Sequence, residues 1–282
     1  MRITLLLLVL LSNIGFAQST ADLKFDTPYF YAVDKWVAFP KAETDSTYAY
    51  GFIYLDNREG FILNYKTRFQ FKGDNLVNIP KDSTAGKKYR LGPDKILVSI
   101  LTQGQTASLN LPAQPEWLAA YKEGANKVAY LKNQGYHYNH VGASDLALTP
   151  LLKAYEMDAH FKGLEFELSY AYNALGQFKK AIPVLEKAIA NNPNNFYFYR
   201  ELGFSYKNLN RIKEAEETYK TGIKLSDNDF EKSEMAVNMA QSYFELRNKP
   251  KFKEWAKLTR KYAEKGSRYA LFIDIFEEEW DK

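Results

Sequence analysis

The side chains able to do chemistry in this 282-residue sequence are few, and their spacing is the first thing to weigh. There are three histidines, His137, His140 and His160. His137 and His140 lie three apart in Tyr-His-Tyr-Asn-His, a separation at which two imidazoles on one helix could share a metal ion, with Asp145 or Glu156 close by in sequence. On a helix, however, His137 adjoins Tyr138, a packing residue, and points away from the face His140 occupies. Ordinary solvated or interfacial histidine is therefore the expectation, with no metal and no cofactor. Cysteine is absent, which removes thiol catalysis, thiolate zinc sites, iron–sulfur ligation and disulfide scaffolding together. The first half holds no histidine, no G-x-S-x-G elbow and no phosphate-cradling glycine loop. No nucleophile–base set is visible, and no catalytic residue is expected. The run Glu277-Glu278-Glu279 reads as a solvated helix face.

What the sequence has in quantity is aromatic surface: 21 Tyr and 19 Phe, with aromatics at 16% overall. Such flat, amphipathic side chains suit packing seams and contact surfaces. Apolar residues at 46% and charged residues at 26% describe a folding chain. The net charge of +4 is too small to suggest a nucleic-acid partner, which calls for a clustered basic stripe.

Three stretches must carry these residues. Residues 1–17, MRITLLLLVLLSNIGFA, have a single positive charge at Arg2, an apolar core and small residues at Gly15 and Ala17. That pattern predicts a secretory signal cleaved before Gln18, since the apolar run from Ile3 to Leu11 is far short of the ~20 residues a spanning helix needs. With no cysteine the exported chain is not a lipoprotein, and no other run is long enough to span a bilayer. A periplasmic or extracellular location is expected.

Residues 18–112 read as β-rich. Tyr48–Leu55 and Phe61–Phe71 are strand formers flanking the turn Asp56-Asn57-Arg58-Glu59-Gly60. In the second arm Leu63, Tyr65, Thr67, Phe69 and Phe71 alternate with Asn64, Lys66, Arg68 and Gln70, the period of a strand with one wet face. Lys95–Leu101 and Ala107–Leu111 are further strand candidates, which makes a small antiparallel domain of about five or six strands. Residues 113–127 read as a linking helix. An alternative function attaches to the sheet: Tyr50, Tyr54 and Tyr65 could stack on sugar rings in a carbohydrate-binding surface, against the simpler reading that they are core. A second alternative is an enzyme with its site where the two halves of the chain join.

From residue 128 the sequence repeats every 34 residues. Tyr138, Tyr172 and Tyr206 form one column, and Ala147, Ala181 and Ala215 another. Gly135, Ser169 and Gly203 keep a small residue three before the Tyr, while Val141, Leu175 and Leu209 keep an apolar one three after it. Leu151, Leu185 and Tyr219 are large; Ala154, Ala188 and Gly222 are small. Steps of three and seven place these on one face of each of two helices, which pack closely where a small side chain meets a large one. Turns at Gly142, Gly176 and Asn210 join the pairs. A lone helical hairpin cannot bury its apolar face, so copies stack. Copies span 128–161, 162–195 and 196–229, with a degenerate fourth over 233–265 that needs a two-residue insertion near Asn248-Lys249-Pro250. Pro150 and Pro183 are expected within the first turn of a second helix, where a missing N–H costs little. Residues 266–282 read as a capping helix whose Tyr269, Leu271, Phe272, Ile275, Phe276 and Trp280 cover the last repeat.

This pattern resembles the tetratricopeptide repeat, most closely through Leu168, Tyr172, Leu175-Gly176, Phe178, Ala181, Leu185, Ala188 and Pro193, and then Leu202-Gly203, Tyr206, Leu209, Ile212, Ala215 and Tyr219. The resemblance implies a helical solenoid of about three or four repeats, and with the strand pattern of 18–112 before it and a capping helix after it the expected class is α+β, a small antiparallel β domain followed by that solenoid. The resemblance also implies a non-catalytic scaffold that holds a protein or peptide in a concave groove lined by the first helices. Transferred by position, the groove comprises Lys132, Tyr136, Asn139 and His140, then Phe166, Tyr170 and Asn173, then Tyr197, Arg200, Phe204 and Lys207, continued by Val237, Gln241 and Phe244. The basic clamp with which some family members grip a terminal carboxylate is not matched, because Glu167, Tyr197 and Glu201 stand where that pattern wants polar or basic side chains.

Overall fold

The computed structural model describes residues 23–73, 75–80 and 84–280. The leader read over 1–17 lies outside them. The chain forms two compact units: one takes in residues up to Tyr54 with Ile62–Tyr89 and Lys95–Glu116, the other Leu55–Phe61, Arg90–Asp94 and everything from Trp117 onward.

The first unit is built on a sheet of seven strands among the described residues: β1 (Thr27–Pro28), β2 (Lys35–Ala38), β3 (Tyr48–Asp56), β4 (Gly60–Lys72), β5 (Asn75–Asn78), β6 (Lys88–Arg90) and β7 (Leu97–Ile100). Their order is β1-β7-β2-β3-β4-β5, with β6 on β4. The pairs β1–β7, β2–β7, β2–β3 and β4–β5 are antiparallel, with Trp36 opposite Phe52 and Phe69 opposite Asn78. Alternation in β4 does what its period requires: Leu63, Tyr65, Thr67 and Phe69 are buried, and Asn64, Lys66, Arg68 and Gln70 are partly exposed between them. Gly51 lies where its backbone meets Asn64 and Leu63 of the neighbouring strand too closely for any Cβ. Trp36, Tyr50, Phe52 and Phe69 form the aromatic centre, with Trp36 edge-on to Phe52 at 5.1 Å. The polar ends of these rings are satisfied: Trp36 Nε1 donates to the Pro112 carbonyl at 2.8 Å and Tyr50 Oη to Asn78 Oδ1.

Two expectations fail here. Tyr50, Tyr54 and Tyr65, offered as a sugar platform, are buried with 0%, 1% and 9% of their surface exposed, so they pack the core and present no ring to a ligand. The apolar run Ala107–Leu111 is not a strand. Residues Gln103–Ser108 form helix α1, started by a capping box in which the Thr102 side chain accepts from Gln105 N and the Gln105 side chain accepts from Thr102 N.

The second unit is helical. After a four-residue helix α2 (Leu118–Tyr121), much shorter than the linking helix read over 113–127, come α3 (Val128–His140), α4 (Ser144–Met157), α5 (Leu164–Ala174), α6 (Phe178–Asn191), α7 (Phe196–Asn208), α8 (Ile212–Leu225), α9 (Asp229–Glu245), α10 (Lys249–Tyr262) and α11 (Arg268–Glu278). They pack as consecutive hairpins, and α3, α5, α7 and α9 also touch one another in a row. Small faces large inside each hairpin. A Cβ on Gly203 would stand 2.6 Å from the Tyr219 ring, and one on Gly135 would collide with Leu151. The hairpin turns take the left-handed backbone at Gly142, Gly176 and Asn210, 34 apart, and then at Arg247, 37 later. The extra residues lie inside α9, 17 residues long against 13 for α7, and not at Asn248–Pro250. Asn195, Asn228 and Asn248 cap α7, α9 and α10 by accepting from main-chain N–H groups two or three residues on.

Pro150 and Pro183 are the seventh and sixth residues of α4 and α6, beyond the first turn, because both helices begin earlier than the sequence suggests. Each therefore leaves one carbonyl, four residues back, without its helical donor. In α11, Tyr269 and Ile273 are buried, as is Trp280 just beyond it, but Leu271, Phe272 and Ile275 are 45–50% exposed, so half of the six residues read as the covering face do not cover the repeat. No helix among the described residues is long and apolar enough to cross a membrane.

Candidate functional site

The row α3, α5, α7, α9 presents equivalent positions 34 residues apart: Lys132, Phe166, Arg200 and Glu234; Tyr136, Tyr170, Phe204 and Asn238; Asn139, Asn173, Lys207 and Gln241. Two hollows open along it. One, of about 190 Å³, lies among Tyr136, Asn139, His140, Phe166, Glu167 and Tyr170. The other, of about 320 Å³, is lined by Tyr170, Asn173, Ala174, Arg200, Glu201, Phe204, Tyr219, Glu234 and Asn238. Tyr170 borders both.

The aromatic members stand at the surface. Tyr136, Tyr170 and Tyr197 are 42%, 38% and 37% exposed. Tyr136 stacks on His140 with centroids 5.9 Å apart and carries the Lys132 ammonium 5.7 Å above its ring. Phe166 meets Tyr197 at 5.5 Å, and the Arg200 guanidinium lies 5.6 Å from Phe166 and 5.2 Å from Tyr197. Burial and the carboxylates of Glu201 and Glu167 push the Tyr170 phenol above its usual range.

The amides are structural. Asn139 Nδ2 donates to the Glu167 carbonyl and to Glu167 Oε2, both at 2.9 Å; Asn173 Nδ2 donates to the Glu201 carbonyl at 3.0 Å and to Oε2 at 2.9 Å. Both residues are 5% exposed, and the bonds tie each first helix to the next. Burial raises the Glu167 pKa, opposed by the bond from Asn139.

The charged members form one network. Arg200 donates from Nε and Nη2 to Glu201 Oε1 at 3.1 and 2.9 Å, and from Nη1 to Glu231 Oε2 at 2.6 Å, while Glu234 Oε2 stands 3.9 Å from Nη1. Burial works against the Arg200 charge, but Glu201, Glu234 and Glu231 outweigh it and hold the guanidinium protonated. Lys207 Nζ donates to Asn238 Oδ1 at 2.9 Å and Gln241 Oε1 at 2.7 Å, and burial lowers its pKa.

Of the fourteen positions read from the sequence, eight line these hollows, Lys132, Tyr197 and Lys207 contact residues that do, and Gln241 accepts from Lys207; Phe244 does none of these. Its ring stacks on Phe276 at 4.9 Å and meets Phe252 and Trp280, so the segment around α11 covers it. Val237 is buried. His137 and His140 do not converge. The ring of His137 is buried with Nε2 3.2 Å from the Asn57 carbonyl, whereas His140 is exposed, and His160 Nδ1 pairs with Glu165 Oε1 at 2.9 Å. Among the described residues no group of three or more His, Asp or Glu is placed to hold a metal ion. Tyr219 and Glu234 line the larger hollow and Glu231 holds Arg200, and none of the three was read as a groove residue from the sequence. Their signal was the 34-residue offset from Leu185, Tyr197 and Arg200, which marks where the repeat changes side-chain chemistry.

Family models described as TPR repeat and Tetratricopeptide repeat match residues 170–210 and 198–229. Among solved structures, TTC0263, a thermophilic TPR protein of Thermus thermophilus, is 20% identical with a TM-score of 0.48, over 61% of this chain and 90% of that one. MamA from MSR-1 is 25% identical with a TM-score of 0.43, over 52% and 84%. The first TPR domain of human RPAP3 is 25% identical with a TM-score of 0.40, over 44% and 98%. No curated protein matches the chain.

Proposed function

We propose that this chain, a tetratricopeptide-repeat protein, is an exported, non-catalytic scaffold that docks a partner protein or peptide along the row of first helices. Such repeats generally serve as protein–protein interaction scaffolds. The observation that carries the reading is the surface rings of Tyr136 and Tyr170, which line two adjoining hollows, with the exposed Tyr197 ring against Phe166 beside them. Aromatic anchors beside small pockets are where binding energy concentrates at protein interfaces. The rings sit on helices locked by the Asn139–Glu167 and Asn173–Glu201 bonds, so little ordering cost falls due on docking. Export is inferred from the residue pattern of 1–17.

Photo-crosslinking in native cells tests the docking, with a benzophenone side chain at position 170. One partner should be trapped, and Tyr170→Ala with Phe204→Ala should abolish its co-purification while the circular dichroism spectrum stays unchanged. A partner that survives both changes refutes the groove. Cell fractionation with N-terminal sequencing tests export: a mature chain beginning at Gln18 outside the cytoplasm is expected, and an intact Met1 inside it refutes that part.

A further inference from the structure

The larger hollow holds more carboxylate than its own cations neutralise. Glu201 and Glu234 line it beside Arg200, which also holds Glu231 outside the lining; Lys207 is turned to Asn238 and Gln241, and Arg268 to the Tyr269 hydroxyl. Among the charged groups that line the hollow, two carboxylates face one guanidinium. Three of the five N–H donors of Arg200 are committed: that of Nε and one of Nη2 to Glu201, and one of Nη1 to Glu231. Glu234 has the loosest hold, 3.9 Å from the guanidinium, with the Tyr269 hydroxyl as a further partner, and its side chain is 30% exposed. Burial raises its pKa, so its anion stands to gain from a new counter-charge.

A second observation is independent of charge. Tyr219 lines the same hollow, is wholly buried, and its hydroxyl has no hydrogen-bond partner. Leaving a buried hydroxyl unpaired is costly, and such a group in a native structure calls for an explanation. Glu201 and Glu234 stand near enough to it to add to the effect of burial on its pKa. The hollow thus offers a hydroxyl oxygen able to accept, an under-compensated carboxylate, and the rings of Tyr170 and Phe204 at its sides. Its volume of about 320 Å³ is at the small end for ligand pockets, the size for one side chain.

We propose that this hollow is a specificity pocket for a lysine or arginine side chain of the docked partner. The cationic head lies against Glu234 and the Tyr219 hydroxyl, and the aliphatic stem lies between Tyr170 and Phe204. An anionic anchor is disfavoured because two carboxylates line the hollow and Arg200 already gives three of its donors to Glu201 and Glu231. The inference rests on the docking reading above and adds to it the chemistry of the anchor.

The test selects random peptides displayed on phage against the full chain, then measures binding of the selected peptides by fluorescence anisotropy. Selected sequences should share one Lys or Arg, and replacing it by norleucine should weaken binding about tenfold or more. Glu234→Gln should weaken the cationic peptide by a similar factor and leave the norleucine peptide unchanged, which a merely structural role for Glu234 would not do. Tyr219→Phe removes only the orphan hydroxyl, so the variant should fold normally and lose about threefold or more in affinity. If the norleucine peptide binds as tightly, or Glu234→Gln affects both peptides alike, the cation pocket is overturned. In that case, loss of binding in Tyr170→Ala with Phe204→Ala would leave the docking groove standing. Failure to select any peptide sensitive to those two changes overturns both.

Discussion

Asn139 and Asn173 hold equivalent places in successive repeats and donate identically to Glu167 and Glu201, but they differ on their other side. The Asn173 Oδ1 accepts from Ser205 Oγ at 2.6 Å, whereas the Asn139 Oδ1 is buried without a hydrogen-bond partner. The residue that stands to Asn139 as Ser205 stands to Asn173, 32 further on, is Ala171. Ala171→Ser therefore puts a donor where the sister repeat already has one, with the Glu167 carbonyl in the role the Glu201 carbonyl plays for Ser205 at 3.0 Å. A new buried hydrogen bond contributes ~0.5–1.5 kcal/mol, and relief of an unpaired buried acceptor adds to that. Against this stands the poorer helix propensity of Ser, ~0.5 kcal/mol. The net expectation is a gain of about 1 kcal/mol, or ~2–4 °C in Tm for a unit of this size. Urea unfolding should show a higher midpoint at unchanged slope. Amide exchange should slow in α3 and α5, which matters because stacked repeats need not unfold as one cooperative body. In an Asn139→Ala background the same change should bring no gain. Equal stabilisation in both backgrounds, or destabilisation in the native one, would refute the pairing of these positions.

Gly203→Ala should lower Tm by an amount equivalent to ~1–3 kcal/mol, because the new methyl falls 2.6 Å from the fully buried Tyr219 ring. The sign is diagnostic, since the same change in an open helix position stabilises by ~0.5–1 kcal/mol. Burial pushes the Glu216 carboxyl up, but hydrogen bonds from Lys220, Lys251 and Tyr243 overcome it and bring its pKa from 4.5 to about 2. Its stabilisation is thus complete above pH 4.5 and lost as pH falls towards 2, and acid titration of Glu216→Gln should lack that part of the decline. Burial lowers the His137 pKa below 6.5, with the bond to the Asn57 carbonyl acting the other way and Arg90, Asp56 and His140 contributing less. The unfolded chain therefore takes up the proton first as pH drops below 6.5, and stability falls there. The difference in urea midpoint between pH 8 and pH 5.5 should shrink in His137→Gln, and an unchanged difference refutes the account.

Much of the architecture could be read from periods. Alternation over Leu63–Phe71 gave β4, and the columns at Gly135, Tyr138, Ala147 and Leu151 gave the paired helices, because close packing leaves those positions one solution each. What escaped has local causes. Thr102-x-x-Gln105 is a capping box, but the apolar residues that follow it also fit a strand, and the cap decides between them. Pro150 suggests a helix start, yet α4 begins six residues earlier, and packing around Ala147 and Leu151 tolerates the lost bond. Phe244 has the spacing of a groove residue. That Phe276 and Trp280 cover it depends on how α11 returns, which no 34-residue register encodes.

The site itself was legible as positions and not as chemistry, and the reason lies in what repetition demands. Stacking needs each hairpin to offer its neighbour the same shape, so the columns between helices keep their type from copy to copy. Columns facing the hollows bear no such demand, and there the type changes: Lys132, Phe166, Arg200, Glu234 in one, Asn139, Asn173, Lys207 in another. The departures gather at α7, α8 and α9. Tyr219 is the instructive case, for it stands in a packing column where Leu151 and Leu185 are purely apolar. Its ring fills the space over Gly203 as those leucines fill theirs, and the added hydroxyl brings nothing to that packing. A polar atom that the packing has no use for, beside two carboxylates and a single guanidinium, is the feature on which the cation pocket proposed above rests.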